Sequence, residues 1–168
     1  CNCGSLSQII DPLNHVTTFT RDLQGRLMQK TYDDGKSVTY QYEKTTSRLQ
    51  EVTDAKGQKT DYRYLIDNNL DSVIYNNAII TTPSVSFKYD PSYNRVVSRT
   101  DGTGTTLYNY NPVSGTSAPG AGRLASIDGP LANDLISYSY DSLGRQNSRN
   151  INGVASSVVY DALGRVTL

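Results

Sequence analysis

The feature that most constrains this chain is a five-residue pattern, Asp-x-x-Gly-Arg, that returns at regular distances. It stands at Asp22-Leu23-Gln24-Gly25-Arg26, Asp141-Ser142-Leu143-Gly144-Arg145 and Asp161-Ala162-Leu163-Gly164-Arg165. Degenerate copies occupy Glu43 to Arg48, Asp67-Asn68-Asn69-Leu70 and Asp90-Pro91-Ser92-Tyr93-Asn94-Arg95, and an expanded copy runs from Asn111 to Arg123. Counted from Arg to Arg, with Asn69 as the third marker, the copies lie 20 to 28 residues apart. That length suits one β-hairpin and is too short for a strand-helix-strand unit. The pattern has a physical reading as a chain reversal. The Asp carboxylate can accept main-chain N–H bonds from two residues on, the central pair forms a type I turn, and Gly takes the left-handed conformation that returns the chain. Asn94 stands where Gly is expected and is the next residue most tolerant of that conformation. The Arg that follows either pairs with acidic groups on adjacent turns or is solvated.

A second series of reversals falls between the first: Asp11-Pro12-Leu13-Asn14, Asp33-Asp34-Gly35, Asp54-Ala55-Lys56-Gly57, Asn76-Asn77, Asp101-Gly102-Thr103-Gly104, Asp128-Gly129-Pro130 and Asn152-Gly153. Asn-Gly and Asp-Gly favour tight hairpin turns. Segments between reversals alternate at period 2, as in Val38-Thr39-Tyr40-Gln41-Tyr42, Val85-Ser86-Phe87-Lys88-Tyr89 and Ile136-Ser137-Tyr138-Ser139-Tyr140, and none shows a sustained helical period. The expected fold is therefore all-β: about seven antiparallel hairpins over residues 1–168 in one continuous meander, interrupted by a Pro/Gly/Ser-rich insertion at 112–122. About 14 strands at roughly 4.8 Å spacing exceed what a flat sheet sustains, so the meander is expected to curl into a shell, spiral or solenoid. Hydrophobic residues make up only 36% of the 168, which argues against a large apolar core.

Aromatic residues precede the first turn series at a fixed offset: Tyr40 and Tyr42, Tyr62 and Tyr64, Phe87 and Tyr89, Tyr108 and Tyr110, Tyr138 and Tyr140, and Tyr160. Residues two apart share a face of a strand, so successive repeats would bring the rings into ladders. Such a ladder is either structural or a platform for carbohydrate or nucleic-acid bases.

Tyr-Asp-x-x-Gly-Arg at this spacing resembles the YD repeat, also called the RHS repeat, of bacterial Rhs and toxin-complex proteins and, more distantly, of the animal teneurins. Tyr140 to Arg145 and Tyr160 to Arg165 match in full; Thr20 to Arg26 matches apart from the Tyr. The opening Cys1-Asn2-Cys3-Gly4-Ser5-Leu6 and the stretch Leu124 to Leu131 look like bacterial members. The resemblance implies long β-ribbons that spiral into a hollow shell around a C-terminal toxin, or that serve as a cell-surface scaffold. The family's self-cleaving Asp-Pro-rich motif has no counterpart here: Asp90-Pro91 lies within a repeat turn and Asp11-Pro12 in the other series.

Other chemistry is thin. His15 is the single histidine, beside a turn, with no nucleophile elbow around any Ser. Gly120-Ala121-Gly122-Arg123-Leu124-Ala125 fits a dinucleotide fingerprint in letters only, since it follows a loop and opens no helix pattern. Asp33-Asp34-Gly35 lacks the spaced ligands of a calcium loop. Cys1 and Cys3 are ordinary strand residues or pair with sequence outside this segment. The 112–122 insertion is expected to project from the sheet as a spacer or a partner-binding loop. Ile79-Ile80 marks a strand packed on neighbouring sheet or the buried register of its hairpin.

Lys plus Arg balances Asp plus Glu at 16 each, so nothing draws the chain to nucleic acid. No stretch is apolar enough to span a membrane as a helix. The chain reads as an excised segment, with any export signal encoded elsewhere. The expectation is a structural, non-enzymatic part of a secreted or cell-surface bacterial protein, without cofactor or metal. Its partners would be further YD repeats or copies of itself at open sheet edges, and an encapsulated toxin. The alternative is a filament or adhesin-type module that binds carbohydrate through its tyrosines.

Overall fold

The computed structural model describes residues 4–113 and 118–167, so Cys1 and Cys3, and Ser114 to Ser117 within the insertion, lie outside the described residues. The described residues form fourteen β-strands and no helix. The chain divides into two compact units, Cys1–Val85 and Ser86–Leu168. The first contains β1 (Gln8–Ile10), β2 (Val16–Arg21), β3 (Leu27–Thr31), β4 (Ser37–Tyr42), β5 (Leu49–Thr53), β6 (Lys59–Tyr64) and β7 (Leu70–Asn76). The second contains β8 (Val85–Tyr89), which straddles the division, then β9 (Val96–Asp101), β10 (Gly104–Tyr110), β11 (Leu124–Asp128), β12 (Ile136–Tyr140), β13 (Gln146–Ile151) and β14 (Val154–Ser157). Within each unit every strand pairs antiparallel with the one before it, as the alternating turn series require.

The register sorts the side chains by face. In the first unit Phe19 lies opposite Lys30, Tyr40 opposite Val52, Tyr62 opposite Val73 and Thr60 opposite Tyr75. In the second, Tyr108 faces Ile127, Ile127 faces Ile136 and Ile136 faces Ile151. Directly opposed residues share a face, so one side of each meander is aromatic and aliphatic. The other carries pairs such as Thr39–Thr53, Gln41–Glu51, Ser126–Ser137 and Ser148–Ser157.

Among the described residues no second layer covers the apolar side within a unit, because each described strand packs only on its sequence neighbours. Among the described residues no hydrophobic side chain is fully buried; Ser98, Thr106 and Gly120 alone reach that level. Main-chain ladders, cross-strand pairs and turn chemistry therefore hold the fold where a globular domain relies on a core.

A β-bulge recurs just after six of the seven turns of the first series. In β13 the register shifts so that Tyr140 pairs with Gln146 but Ser139 with Ser148, leaving Asn147 extra. The same shift leaves Met28, Gln50, Asp71, Val97 and Ala125 extra on their strands. Without it, every following residue would exchange faces.

Gly25, Gly144 and Gly164 take the left-handed conformation expected of them, with φ of 81°, 74° and 79°. Four expectations need correction. Asn94 is not left-handed: Arg95 N–H bonds the Tyr93 carbonyl at 2.7 Å, whereas in the Glu43 to Arg48 turn of the same length Ser47 does take the left-handed position, with φ of 62°. The third turn is framed by Leu65 to Asn69, with Asn68 at φ 71° in the glycine position, so Leu65 stands where Asp was expected at 67. Ile79-Ile80 is neither strand nor buried; it lies exposed in the connection after β7. The second series is not uniformly tight. Asn152-Gly153 does form a two-residue hairpin, but Asp11 to His15 and Asp54 to Gln58 repeat the five-residue reversal of the first series.

Candidate functional site

Five of the seven first-series turns are built around one carboxylate. Asp141 Oδ1 accepts the amides of Leu143 (2.9 Å) and Arg145 (2.8 Å), while Oδ2 accepts Arg145 Nε at 2.7 Å. Asp161 does the same for Leu163 and Arg165, and Asp22 for Gln24 and Arg26. Asp90 holds the Ser92 amide and both Nε and Nη2 of Arg95, and Glu43 holds Arg48 Nε at 2.8 Å. The arginine is thus clamped by the acid of its own turn, not by those of adjacent turns. The hydrogen bonds leave their mark on acidity. Glu43 sits below the usual carboxylate range because of Arg48 and Thr46, Asp90 because of the Ser92 amide and Arg95, and Asp161 because of the Arg165 amide and guanidinium. At Asp22 and Asp141 desolvation is the largest influence and pushes upward, yet the combined turn donors outweigh it.

The arginine then reaches into the next repeat. In the first unit the Arg26 guanidinium lies 4.7 Å from the Tyr42 ring centroid and that of Arg48 lies 4.7 Å from Tyr64. In the second, Arg95 lies 4.1 Å from Tyr110 and Arg145 4.3 Å from Tyr160; Arg123 stands further off Tyr140 at 5.8 Å. Guanidinium over a ring face is a cation–π contact. The phenol completes the link by donating to the carbonyl of the residue after the arginine: Tyr42 to Leu27, Tyr110 to Val96, Tyr140 to Leu124 and Tyr160 to Gln146, at 2.7 to 3.0 Å. Arg48 and Arg95 extend further, to the carbonyls of Leu65 and Gly122 in the following turns. Burial raises the Tyr64 and Tyr140 phenols above their ordinary value.

The aromatic ladder expected from the spacing is therefore an alternation of tyrosine and arginine along one edge of each meander. It uses the second tyrosine of each pair. The first members, Tyr40, Tyr62, Phe87, Tyr108 and Tyr138, lie further along the apolar face. The tyrosine offset and the Arg were visible in sequence; their contact across one repeat was not, because it depends on the bulges.

The remaining candidates are spent locally. His15 Nδ1 lies 2.9 Å from Asp11 Oδ2 of its own turn, occupying the place arginine takes in the other series. Asp33 accepts the Val16 amide, and Asp34 accepts the amide and ammonium of Lys36. No three His, Cys, Asp or Glu side chains gather as a metal site among the described residues. Gly120 and Gly122 are left-handed loop residues, and Ala118, Pro119 and Ala121 beside them are exposed. Gly120 is buried against Tyr140, where an added Cβ would collide with the ring.

No protein-family model matches the chain, and no curated protein matches it in sequence. Solved structures do. The Photorhabdus luminescens Tc holotoxin pore, in a TccC3 mutant form, superposes with a TM-score of 0.75 at 13% identity, over 99% of this chain and 10% of that one. A TcdB2-TccC3-TEV crystal structure gives 0.64 at 16% identity over 89% of this chain and 8% of the other. TcdB2-TccC3 gives 0.54 at 14% over 87% and 10%. The chain thus spans about a tenth of the length of the solved chains it matches. Fold and motif together define a repeat β-meander. Its fold is the YD-repeat, or RHS-repeat, fold of the toxin-complex proteins.

Proposed function

We propose that this chain is a structural, non-enzymatic wall segment of a secreted bacterial YD-repeat protein, and that the wall encloses a toxin domain. The observation that carries the reading is the use made of the polar groups of the motif. Among the described residues, Asp, Arg and Tyr of most successive turns satisfy one another and the main chain, leaving a ladder that stiffens an edge. The likeness in fold to toxin-complex proteins supports the same conclusion. Carbohydrate recognition through the tyrosines draws no support from their geometry, since four of the phenols already donate to main-chain carbonyls. Further repeats, or a second copy, are the partners that suit the edge. Arg165, clamped by Asp161 but covered by no described tyrosine, is 74% exposed, against 20–33% for Arg26, Arg48, Arg95 and Arg145.

Limited proteolysis of the full-length secreted protein, combined with negative-stain microscopy, tests the proposal. A closed particle that protects a non-repeat domain until the wall is disrupted is the expected result. Open filaments, or a domain cleaved as fast as the isolated one, would overturn it in favour of a scaffold.

A further inference from the structure

Five ladder arginines are held by a carboxylate of their own turn: Arg26, Arg48, Arg95, Arg145 and Arg165, at 2.7 to 2.8 Å. Arg123 forms no such pair with any described residue. The acid position of its expanded turn is filled by Asn111, whose side-chain amide donates to the Gly120 carbonyl at 3.1 Å. Nothing from 112 to 122 is acidic, so the insertion has no substitute to offer. Gly120 occupies space on the Tyr140 ring, and the guanidinium stands off that ring by 5.8 Å where the other ladder pairs stand at 4.1 to 4.7 Å. It lies instead against the next turn, with Nε 3.1 Å from where a Cβ on Gly144 would be.

At that place the insertion and the Asp141 turn enclose an open cavity of about 340 Å³, lined in part by Ala118, Pro119, Ala121, Arg123, Ser142 and Leu143. Its side chains are short, and those that carry polar groups are Ser142 and Arg123, whose guanidinium pairs with no described carboxylate. The volume is at the lower end of ligand pockets, suited to one side chain more than to a whole metabolite. The five neighbouring turns exhibit the group that fits such an arginine: the carboxylate of an Asp or Glu, received in charge-assisted hydrogen bonds. We propose that this cavity is a docking site for an acidic side chain of a separate polypeptide segment, whose carboxylate completes on Arg123 the clamp that Asn111 leaves open. The site is independent of whether the wall encloses a toxin.

The test is a titration of the full chain with acetyl-Ala-Asp-Ala-amide, following arginine Nε–H resonances by NMR, with the Asn tripeptide and sodium acetate as parallel arms. The expected result is a saturable shift confined to Arg123, at least tenfold weaker for the Asn tripeptide and for acetate. It should vanish in Arg123→Gln, and also in Asn111→Asp, where an internal carboxylate takes the place while the fold is kept. No saturation, or an undiminished response in Asn111→Asp, would overturn the proposal. Equal affinity for acetate would reduce the site to a bare anion contact and overturn its assignment to a peptide.

Discussion

Replacing Tyr140 by Phe isolates the hydroxyl end of the ladder. The phenol donates to the Leu124 carbonyl at 2.8 Å from a half-buried position, and the ring supports the neighbouring Gly120. Phe keeps the ring and removes only that bond. A net hydrogen bond contributes about 0.5–1.5 kcal/mol, and a carbonyl left without its donor can add to the loss, so a total of about 1–2 kcal/mol is expected. Because repeat arrays open locally, the loss should concentrate in the second unit. Amide hydrogen exchange on the full chain would register it as roughly 5- to 30-fold faster exchange in β11 and β12, with β2 to β6 unaffected. Tyr42→Phe should produce the mirror result, confined to the first unit, and the two lesions should add because they share no partner. Unchanged exchange in β11 and β12 for Tyr140→Phe, or acceleration spread equally over both units, would refute the argument that the phenol ties one repeat to the next.

Arg145→Lys should weaken its repeat by about 0.5–1 kcal/mol through loss of the contact to Tyr160; chemical denaturation against the unsubstituted chain reads it. Gly25→Ala should cost about 1–2 kcal/mol from its left-handed φ of 81° alone, since nothing lies near the added methyl, while Asn94→Gly should bring no gain; thermal melts read both. The turn carboxylates titrate below their ordinary range in the folded state, so their contribution is present above the unfolded value near 4 and is lost as pH falls below it. Circular dichroism against pH should show β-structure failing on the acid side of about pH 4. The raised phenols act in the opposite sense, favouring the fold below about pH 10 and ceasing to do so above it, so ultraviolet titration should find Tyr64 and Tyr140 ionising above the ordinary tyrosine value.

The amino-acid sequence by itself determined the reversals. Asp, Gly and Arg within five residues carry all the donors and acceptors of the turn, and contacts so short in sequence form wherever those residues stand in that order. Period-2 alternation likewise settled the strands, as at Ile136 to Tyr140. It failed where local pattern underdetermines the backbone: the six-residue turns at Glu43 and Asp90 place Ser47 but not Asn94 in the left-handed conformation, and Ile79-Ile80 reads as strand only if a ladder reaches it. The tertiary structure alone decided how repeats engage. Tyr140 meets Leu124, and Tyr160 meets Gln146, across 16 and 14 residues, and these meetings require a bulge at Ala125 and another at Asn147. A bulge leaves no signature in composition or period, yet it moves every later side chain to the opposite face. Only the paired backbone specifies which face receives the arginine and which the tyrosine.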